Sequence, residues 1–316
     1  MLRSRSRSRT LLVLVLVAAM GLTLSLTPIA SAAEEEPPKG PPLPLHTIEG
    51  VGGLVLTPTA YLVNPGPPGT VVGKPSFSLQ YARIGHKDFQ AAAATVTLWE
   101  RLELGYAANR LGLDDFDKDV RTMTGIDIGP NDIYMHNFNA RLNLIQEGAW
   151  DRPWMPAVTV GAHYKYNDDI NDIDRDLGGT LTGLGYNDND GVDYTLTATK
   201  AIYCLPRPVL LSAGARASRG SQLGLVGFTD DYMVTFEGSA LMLVTDRLAV
   251  GAEYRQKRND LNDIPGLIGD EDSWWDVHAA YIINNHAELY ATVGSAGTVL
   301  NHDDELLWGA VFKYEF

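Results

Sequence analysis

Segments in which apolar and polar residues alternate recur along this chain, and they constrain its fold more than any other feature. At the end of the chain, one face of such a segment carries only apolar and aromatic residues: Leu306, Trp308, Ala310, Phe312, Tyr314 and Phe316. Because successive side chains of a β-strand point to opposite faces, this period of two predicts a strand. Comparable segments lie near residues 74–84, 89–99, 101–112, 133–147, 155–167, 190–202, 208–219, 232–244, 247–257, 273–284, 286–295 and 305–316.

The two faces of these predicted strands differ in polarity. In the segment 155–167, one face is apolar or aromatic and the other is polar or small: Val158, Val160, Ala162 and Tyr164 against Gly161, His163 and Lys165. A barrel in lipid has this arrangement, because its outer face meets hydrocarbon and closure pairs every backbone group. A soluble sandwich also alternates, but its apolar faces pack against each other. Alternation alone does not separate the two folds.

The lengths of the connections favour the barrel. Alternate connections are long and acidic after a short first one at 85–88: 113–132, 168–189, 219–231, 258–272 and 296–304. The others are mostly tight turns, and Trp and Tyr residues cluster near strand ends, as in the interfacial girdles of transmembrane barrels. The predicted fold is therefore all-β: a single transmembrane antiparallel up-and-down β-barrel of about 12 strands over residues 74–316.

The N-terminal residues predict export. Four arginines precede the apolar run Leu11–Ala19, and Ala30-Ser31-Ala32 fits the small-residue cleavage rule of a secretory signal peptide. We therefore expect residues 1–32 to be a signal peptide cleaved near Ala32, and the mature chain to reach the bacterial outer membrane. Residues 33–47 then form a Pro-rich periplasmic leader.

The acidic balance of the chain limits its partners. The formal net charge is −14, and the predicted signal peptide contains four arginines and no acid, so the mature chain is more acidic still. Nucleic-acid binding is not expected, because it needs Lys and Arg against phosphates. The expected partners are outer-membrane lipids, lipopolysaccharide and a small solute. A single cysteine forms no intrachain disulfide, and no cofactor is predicted.

Residues 48–73 form a Gly-rich segment before the first predicted strand. Its glycines allow the chain to bend back where a Cβ atom would clash. One hypothesis is that the segment enters the barrel as a plug; the alternatives are an ordered periplasmic lead-in or one more strand. The residues assigned to the plug are Gly50, Gly52, Gly53, Leu54, Thr57 and Pro58.

The polar faces of the strands provide a second set of candidate site residues. If the alternation is assigned correctly, these side chains line the lumen, the space that the barrel encloses. They either set the ion preference of a water-filled path or pair into a network that closes a narrow barrel; we leave both open. The predicted lumen-lining residues are Glu103, Asn139, Arg141, His163, Lys165, Asp193, Arg216, Glu237, Glu253, Arg255, Asp276, His278 and Glu288.

Metal and catalytic sites are not predicted. The acidic loops contain clusters such as Asp114, Asp115, Asp117 and Asp119, which we interpret as solvated cell-surface loops rather than a calcium site. The sequence contains no Gly-x-Ser-x-Gly motif, and no two histidines on one predicted strand have metal-ligand spacing. The expectation is therefore that the protein is not an enzyme.

Two motifs resemble known families. The C-terminal residues 308–316, with aromatic Phe316 last, are similar to the outer-membrane signal that the barrel-assembly machinery reads. Residues 48–60, with Glu-Gly-Val-Gly-Gly and Thr-Pro, resemble the opening of a family of uncharacterised bacterial outer-membrane proteins classed as a domain of unknown function. The same segment is similar, less closely, to outer-membrane proteins linked to exopolysaccharide export. The family resemblance implies a barrel and no established substrate.

Two functional hypotheses follow. The first is an outer-membrane channel or transporter for small solutes, partly occluded by the N-terminal segment. The alternative is a non-conducting surface barrel that acts through its acidic extracellular loops in adhesion or envelope integrity. The polarity of the lumen favours the first, and the length of loops 113–132 and 168–189 favours the second.

Overall fold

The fold consists of a closed barrel and a short N-terminal segment. The computed structural model describes residues 44–113, 116–258, 272–299 and 306–316. Two short strands, β1 (Leu45–His46) and β2 (Gly52–Gly53), pair with each other first. Twelve barrel strands follow: β3 (Ser76–Ile84), β4 (Lys87–Leu98), β5 (Leu102–Gly112), β6 (Asp132–Ile145), β7 (Ala157–Asn167), β8 (Asp190–Ile202), β9 (Val209–Gly220), β10 (Phe228–Leu243), β11 (Leu248–Arg255), β12 (Trp274–Ile282), β13 (Ala287–Ser295) and β14 (Leu306–Glu315).

The barrel has a simple topology. Each strand from β3 to β14 pairs antiparallel with its neighbours in sequence, and β14 closes the barrel by pairing with β3. The predicted fold, a single antiparallel barrel with twelve strands, is confirmed. The predicted signal peptide 1–32, leader residues 33–43, Asp114, Asp115 and loop residues 259–271 and 300–305 lie outside the described residues.

Burial follows the alternation along each strand. On β14, Phe312 is 43% exposed whereas the next residue, Lys313, is completely buried. Pairing extends this pattern across the sheet, since Phe312 lies opposite Leu289 and Lys313 lies opposite Glu288 on β13. The apolar side chains therefore point outward and the polar ones into the lumen, as a barrel in lipid requires.

The long connections contain more structure than solvated loops do. Helix α1 (Phe116–Thr124) lies between β5 and β6, and α2 (Ile170–Asp176) and α3 (Thr180–Leu184) lie between β7 and β8. Each helix buries apolar side chains: Phe116 and Val120, Ile170 and Ile173, and Leu181. Among the described residues, no helix has the length and apolar content needed to cross a membrane.

The connection between β9 and β10, one of the long acidic connections expected from the sequence at 219–231, turns into the barrel. Residues 221–227, here called the inward loop, are all buried. Lys165 Nζ donates to the Leu223 carbonyl at 3.0 Å, and Asn167 Nδ2 donates to the carbonyls of Gly224 and Leu225 at 3.0 and 2.9 Å. These bonds hold the inward loop inside the barrel.

Introducing a charged residue on the outward face tests whether that face contacts lipid. Val277 lies near the middle of β12 and is 45% exposed, so we expect Val277→Arg to lower the free energy of unfolding in lipid by about 2–4 kcal/mol. Urea titration of the protein refolded in vesicles measures this change. Leu205→Arg, in the exposed turn between β8 and β9, is the matched control and should have little effect. Equal stability of the two variants would contradict a lipid-facing β12.

Candidate functional site

The N-terminal segment lies inside the barrel. Every residue from Leu45 to Ala60 is buried, and these residues are here called the inserted segment. A tight turn at Gly50, whose φ is +78°, brings β1 back against β2. A Cβ atom at Gly50 would lie 2.8 Å from the Ala107 Cβ of β5, so only glycine allows the segment to approach the wall this closely.

Glu49 of the inserted segment contacts three bases of the wall. Its carboxylate lies 2.5 Å from Lys165 Nζ, 3.0 Å from Arg216 Nη2 and 2.7 Å from Arg255 Nη1. The same three bases also contact two wall acids: Asp193 lies 2.8 Å from Lys165, and Glu237 lies 3.4 Å from Arg216. We call these six side chains the lumen charge cluster.

The lumen charge cluster is electrically balanced, with three bases and three carboxylates. All six side chains are at most 5% exposed, so each charge depends on its partners rather than on water. Burial by itself would raise the pKa of the Glu49 carboxyl. Arg216, Arg255 and Lys165 outweigh that effect and hold its pKa well below the ordinary range. Glu49 is therefore ionised throughout the physiological pH range.

A second ion pair holds the backbone around β2. Arg141 Nη1 donates to the Gly52 carbonyl at 2.6 Å and to Glu103 Oε1 at 3.1 Å. Glu103 in turn accepts hydrogen bonds from the amides of Gly52 at 3.1 Å and Val63 at 2.8 Å. The pair thus satisfies backbone donors and acceptors of a segment that has no long sheet partner of its own.

Glu253 on β11 holds the next turn of the inserted segment. Its Oε1 accepts the amides of Val55 and Leu56 at 2.8 and 2.9 Å. Its Oε2 accepts the amide and the hydroxyl of Thr57 at 2.7 and 2.8 Å. One carboxylate therefore receives four hydrogen bonds from three consecutive residues.

Neutral polar groups hold the two ends of the inserted segment. At one end, His46 lies between Ser78 and Thr95, with ring nitrogens 3.0 and 2.8 Å from their hydroxyls. At the other end, Ala60 donates its amide to Thr199 Oγ1 at 2.7 Å and accepts from Thr159 Oγ1 at 2.6 Å. The segment is thereby attached along its whole length.

The predicted lumen residues all lie on the inward face and are at most 5% exposed. Seven of them bond directly to the inserted segment: Glu103, Asn139, Arg141, Lys165, Arg216, Glu253 and Arg255. Asp193 and Glu237 complete the lumen charge cluster, and His163 bonds to Asn139 and Thr195. Asp276 and His278 contact each other, and Glu288 lies 3.9 Å from Lys313.

The predicted plug residues Gly50, Gly52, Gly53, Leu54, Thr57 and Pro58 are all within the inserted segment and buried. The boundary at residues 47 and 48 differs from the structure, because Leu45, His46 and Thr47 are also buried in the lumen. The structure therefore assigns the end of the predicted leader to the inserted segment.

Sequence reasoning missed two features of the site. It did not single out Glu49, although Glu49 is the only charged residue between positions 48 and 73. It also missed the inward loop, whose residues 221–227 carry no charge, unlike the acidic loops around them. In both cases a contrast in charge with the flanking sequence was the available signal.

The inward loop and the inserted segment meet inside the barrel. Lys165 Nζ bonds to Glu49 of the segment and to the Leu223 carbonyl of the loop, so one side chain links the two. Between them lies an apolar cavity of about 60 Å³, lined among others by Ile48, Val55 and Val226. The lumen is thus occupied by chain entering from both ends of the barrel.

Comparison with known proteins identifies a family. A family model described as "Protein of unknown function (DUF3034)" matches residues 44–308. The predicted relationship to an uncharacterised family of barrels is confirmed at this level. The comparison with curated proteins found no match.

Solved outer-membrane barrels resemble the chain. The KdgM porin matches 76% of this chain and 99% of its own, with 10% identity and a TM-score of 0.45. Omp33 of Acinetobacter baumannii matches 78% and 99%, with 12% identity and a TM-score of 0.44. The Salmonella typhi outer membrane phospholipase (OMPLA) dimer with bound calcium matches 79% and 95%, with 10% identity and a TM-score of 0.37. These likenesses concern the fold alone.

The phospholipase match corrects one sequence-based prediction. We predicted that the protein is not an enzyme, and that exclusion was wrong, because solved barrels of this general kind include a phospholipase. The prediction relied on motifs and spacing within single strands, whereas a closed barrel brings together residues that are far apart in sequence. At 10% identity the match assigns no enzymatic role to this chain.

The balance of the lumen charge cluster predicts the effect of neutralising Glu49. Glu49→Gln leaves three buried bases with two carboxylates, so we expect the free energy of unfolding to fall by about 3–5 kcal/mol. Urea titration monitored by tryptophan fluorescence measures this loss. Asp151→Asn, in an exposed turn, removes a carboxylate outside the lumen and should leave stability unchanged. A Glu49→Gln variant as stable as the wild type would contradict the proposed role of the cluster.

The lowered pKa of Glu49 also predicts a pH dependence. A carboxyl whose folded-state pKa is depressed stabilises the fold above its unfolded pKa and loses that contribution as the pH falls through the folded value. We expect the stability difference between wild type and Glu49→Gln to stay constant down to about pH 4.3 and to shrink below it. Urea titrations across this range test it. A difference that vanishes at mildly acidic pH, above this range, would contradict the assignment.

Proposed function

We propose that this chain, which belongs to the DUF3034 family, is a gated channel for small solutes, closed by its inserted segment. We further propose that it acts in the bacterial outer membrane after cleavage of the signal peptide near Ala32. The C-terminal strand ending at Phe316 would be the part that the barrel-assembly machinery reads. The resemblance of its barrel to those of bacterial outer-membrane proteins supports this location.

The observation that carries the channel proposal is the way the lumen charges are satisfied. Glu49 forms ion pairs with Lys165, Arg216 and Arg255 and neutralises part of their positive charge. It belongs to the inserted segment rather than to the wall. If the segment leaves, these bases and the wall acids line a polar space beside the inward loop, which stays bonded to Lys165 and Asn167. Twelve strands enclose more space than the packed interior of an eight-stranded barrel.

The connection of the inserted segment to the barrel is compatible with movement. After Ala60 the chain runs to β3 through residues 64–75, which contain four prolines and three glycines. Val71 accepts a hydrogen bond from the Trp99 amide in the short turn between β4 and β5, so the chain leaves at the short-turn end. Every contact of the segment with the wall described above is non-covalent. Release of the segment therefore requires no opening of the barrel itself.

Single-channel conductance of the refolded mature protein in planar bilayers tests the proposal. We expect low or intermittent conductance for the wild type and a higher, steady conductance for a variant lacking residues 33–62. This variant removes the inserted segment and retains every barrel strand. If the folded deletion variant does not conduct, the channel proposal is wrong.

If the deletion variant does not fold, a reducible disulfide between the inserted segment and the wall provides a second test. Ala60→Cys with Thr199→Cys places thiols on two neighbouring residues, since the backbone amide of Ala60 lies 2.7 Å from Thr199 Oγ1, and Cys204→Ser removes the exposed native thiol. We expect the oxidised form to stay closed and the reduced form to regain wild-type conductance. Equal conductance of the oxidised and reduced forms would show that solutes do not pass the inserted segment.

The alternative function is a non-conducting surface barrel that acts in adhesion or envelope integrity. The observation in its favour is that the long connections form helices with buried apolar residues, such as Ile170 and Ile173 in α2, instead of mobile acidic loops. Absence of conductance in every folded variant would support this alternative over the channel.

A further inference from the structure

We propose that Glu253, Asp276 and His278 form a binding site for a divalent cation of the zinc class in the wall of the lumen. The three residues lie on the adjacent strands β11 and β12, where Glu253 pairs with Asp276 and Gly251 pairs with His278. All three side chains point inward and are at most 5% exposed. This inference concerns cation binding and does not depend on whether the barrel conducts.

The ligand atoms are close enough to share one cation. His278 Nδ1 lies 2.9 Å from Asp276 Oδ1 and 4.0 Å from Glu253 Oε1, and one ligand atom from each residue lies within 4.8 Å of the others. Zinc binds imidazole nitrogen and carboxylate oxygen at about 2.0–2.2 Å, which separates tetrahedral ligands by about 3.4 Å. Small side-chain rotations are therefore enough to reach that geometry.

The negative charge of the two buried carboxylates also favours a bound cation. Two carboxylates and a histidine are buried together, and the described residues provide no ion pair between these carboxylates and a lysine or arginine. The nearby Arg255 is already engaged by Glu49 and Glu237. A divalent cation would neutralise the carboxylates and offset the desolvation of the buried group.

Two polar atoms of the group have no hydrogen-bond partner in the described part of the chain: Asp276 Oδ2 and His278 Nε2. Buried polar atoms are rarely left unsatisfied, so the unpaired Asp276 Oδ2 indicates a missing partner inside the group. A cation bound by Asp276 would satisfy its carboxylate. An imidazole together with carboxylates suits zinc better than calcium or magnesium, which prefer oxygen ligands alone.

Gly251 positions the histidine ring. A Cβ atom at this residue would lie 2.4 Å from His278 Nε2, so the ring occupies space that only glycine leaves open. Gly251 is therefore a positioning residue, and Gly251→Ala should displace the imidazole without removing any ligand.

Glu253 couples the proposed site to the inserted segment. Its Oε1, which is 4.0 Å from His278, already accepts the amides of Val55 and Leu56. Cation binding at this oxygen replaces at least one of these hydrogen bonds, because a carboxylate oxygen has two lone pairs. Oε2 retains its two bonds to Thr57.

Isothermal titration of the full mature protein in detergent, after treatment with a chelator, tests the proposal. We expect saturable binding of one Zn²⁺ per chain, with weaker binding of Ca²⁺ and Mg²⁺. His278→Ala and Asp276→Asn should each lower the Zn²⁺ affinity at least about tenfold, and Gly251→Ala should lower it to a smaller extent. The matched control is Glu288→Gln, which removes another buried lumen carboxylate on β13 and should leave the affinity unchanged.

Each variant must be shown to form a barrel, by its circular dichroism, before titration. Zinc K-edge absorption of the wild type should show nitrogen from one imidazole together with oxygen ligands. Absence of saturable Zn²⁺ binding by the wild type overturns the proposal. So does equal binding by His278→Ala, Asp276→Asn and Glu288→Gln, since the cation would then bind elsewhere.

Discussion

The carboxylate of Glu49, held among Lys165, Arg216 and Arg255, is the contact on which the arrangement inside the barrel depends. Three bases on neighbouring parts of the wall cannot be buried together unless negative charge accompanies them. Asp193 and Glu237 supply two charges from the wall, and the inserted segment supplies the third. The position of the segment and the charge balance of the lumen therefore determine each other.

The wall and the inserted segment also satisfy each other's hydrogen bonds. An irregular chain inside a barrel exposes amides and carbonyls that no helix or long sheet pairs, and each unsatisfied group costs free energy. Here polar side chains of the wall take that role: Glu253 binds three consecutive amides, and Arg141 with Glu103 brackets Gly52. A wall of apolar residues would leave the segment unbound, and an empty lumen would leave the wall bases without the carboxylate of Glu49. This mutual dependence explains why a polar lumen can still be densely occupied.

Some side chains of the lumen remain outside this mutual pairing. Asp276 and His278 bond to each other and keep one unsatisfied atom apiece within the described residues. They lie beside Glu253, so this incompletely paired group adjoins the turn of the inserted segment that Glu253 holds. No metal site was expected from the sequence, because no two histidines of one predicted strand have metal-ligand spacing. The group combines one residue of β11 with two of β12, and only strand pairing brings them together.

The sequence by itself determined the strands, their number and the side of the wall on which each residue lies, because a period of two follows from the backbone of a single strand. The sequence did not predict which residues the inward side chains contact. Glu49 is at least 100 positions away in sequence from Lys165, Arg216 and Arg255, and no local pattern relates them. Only closure of the barrel and insertion of residues 45–60 decided which charges meet. The same holds for the inward loop, whose uncharged residues 221–227 are buried because the lumen offers Lys165 and Asn167 as donors to their carbonyls.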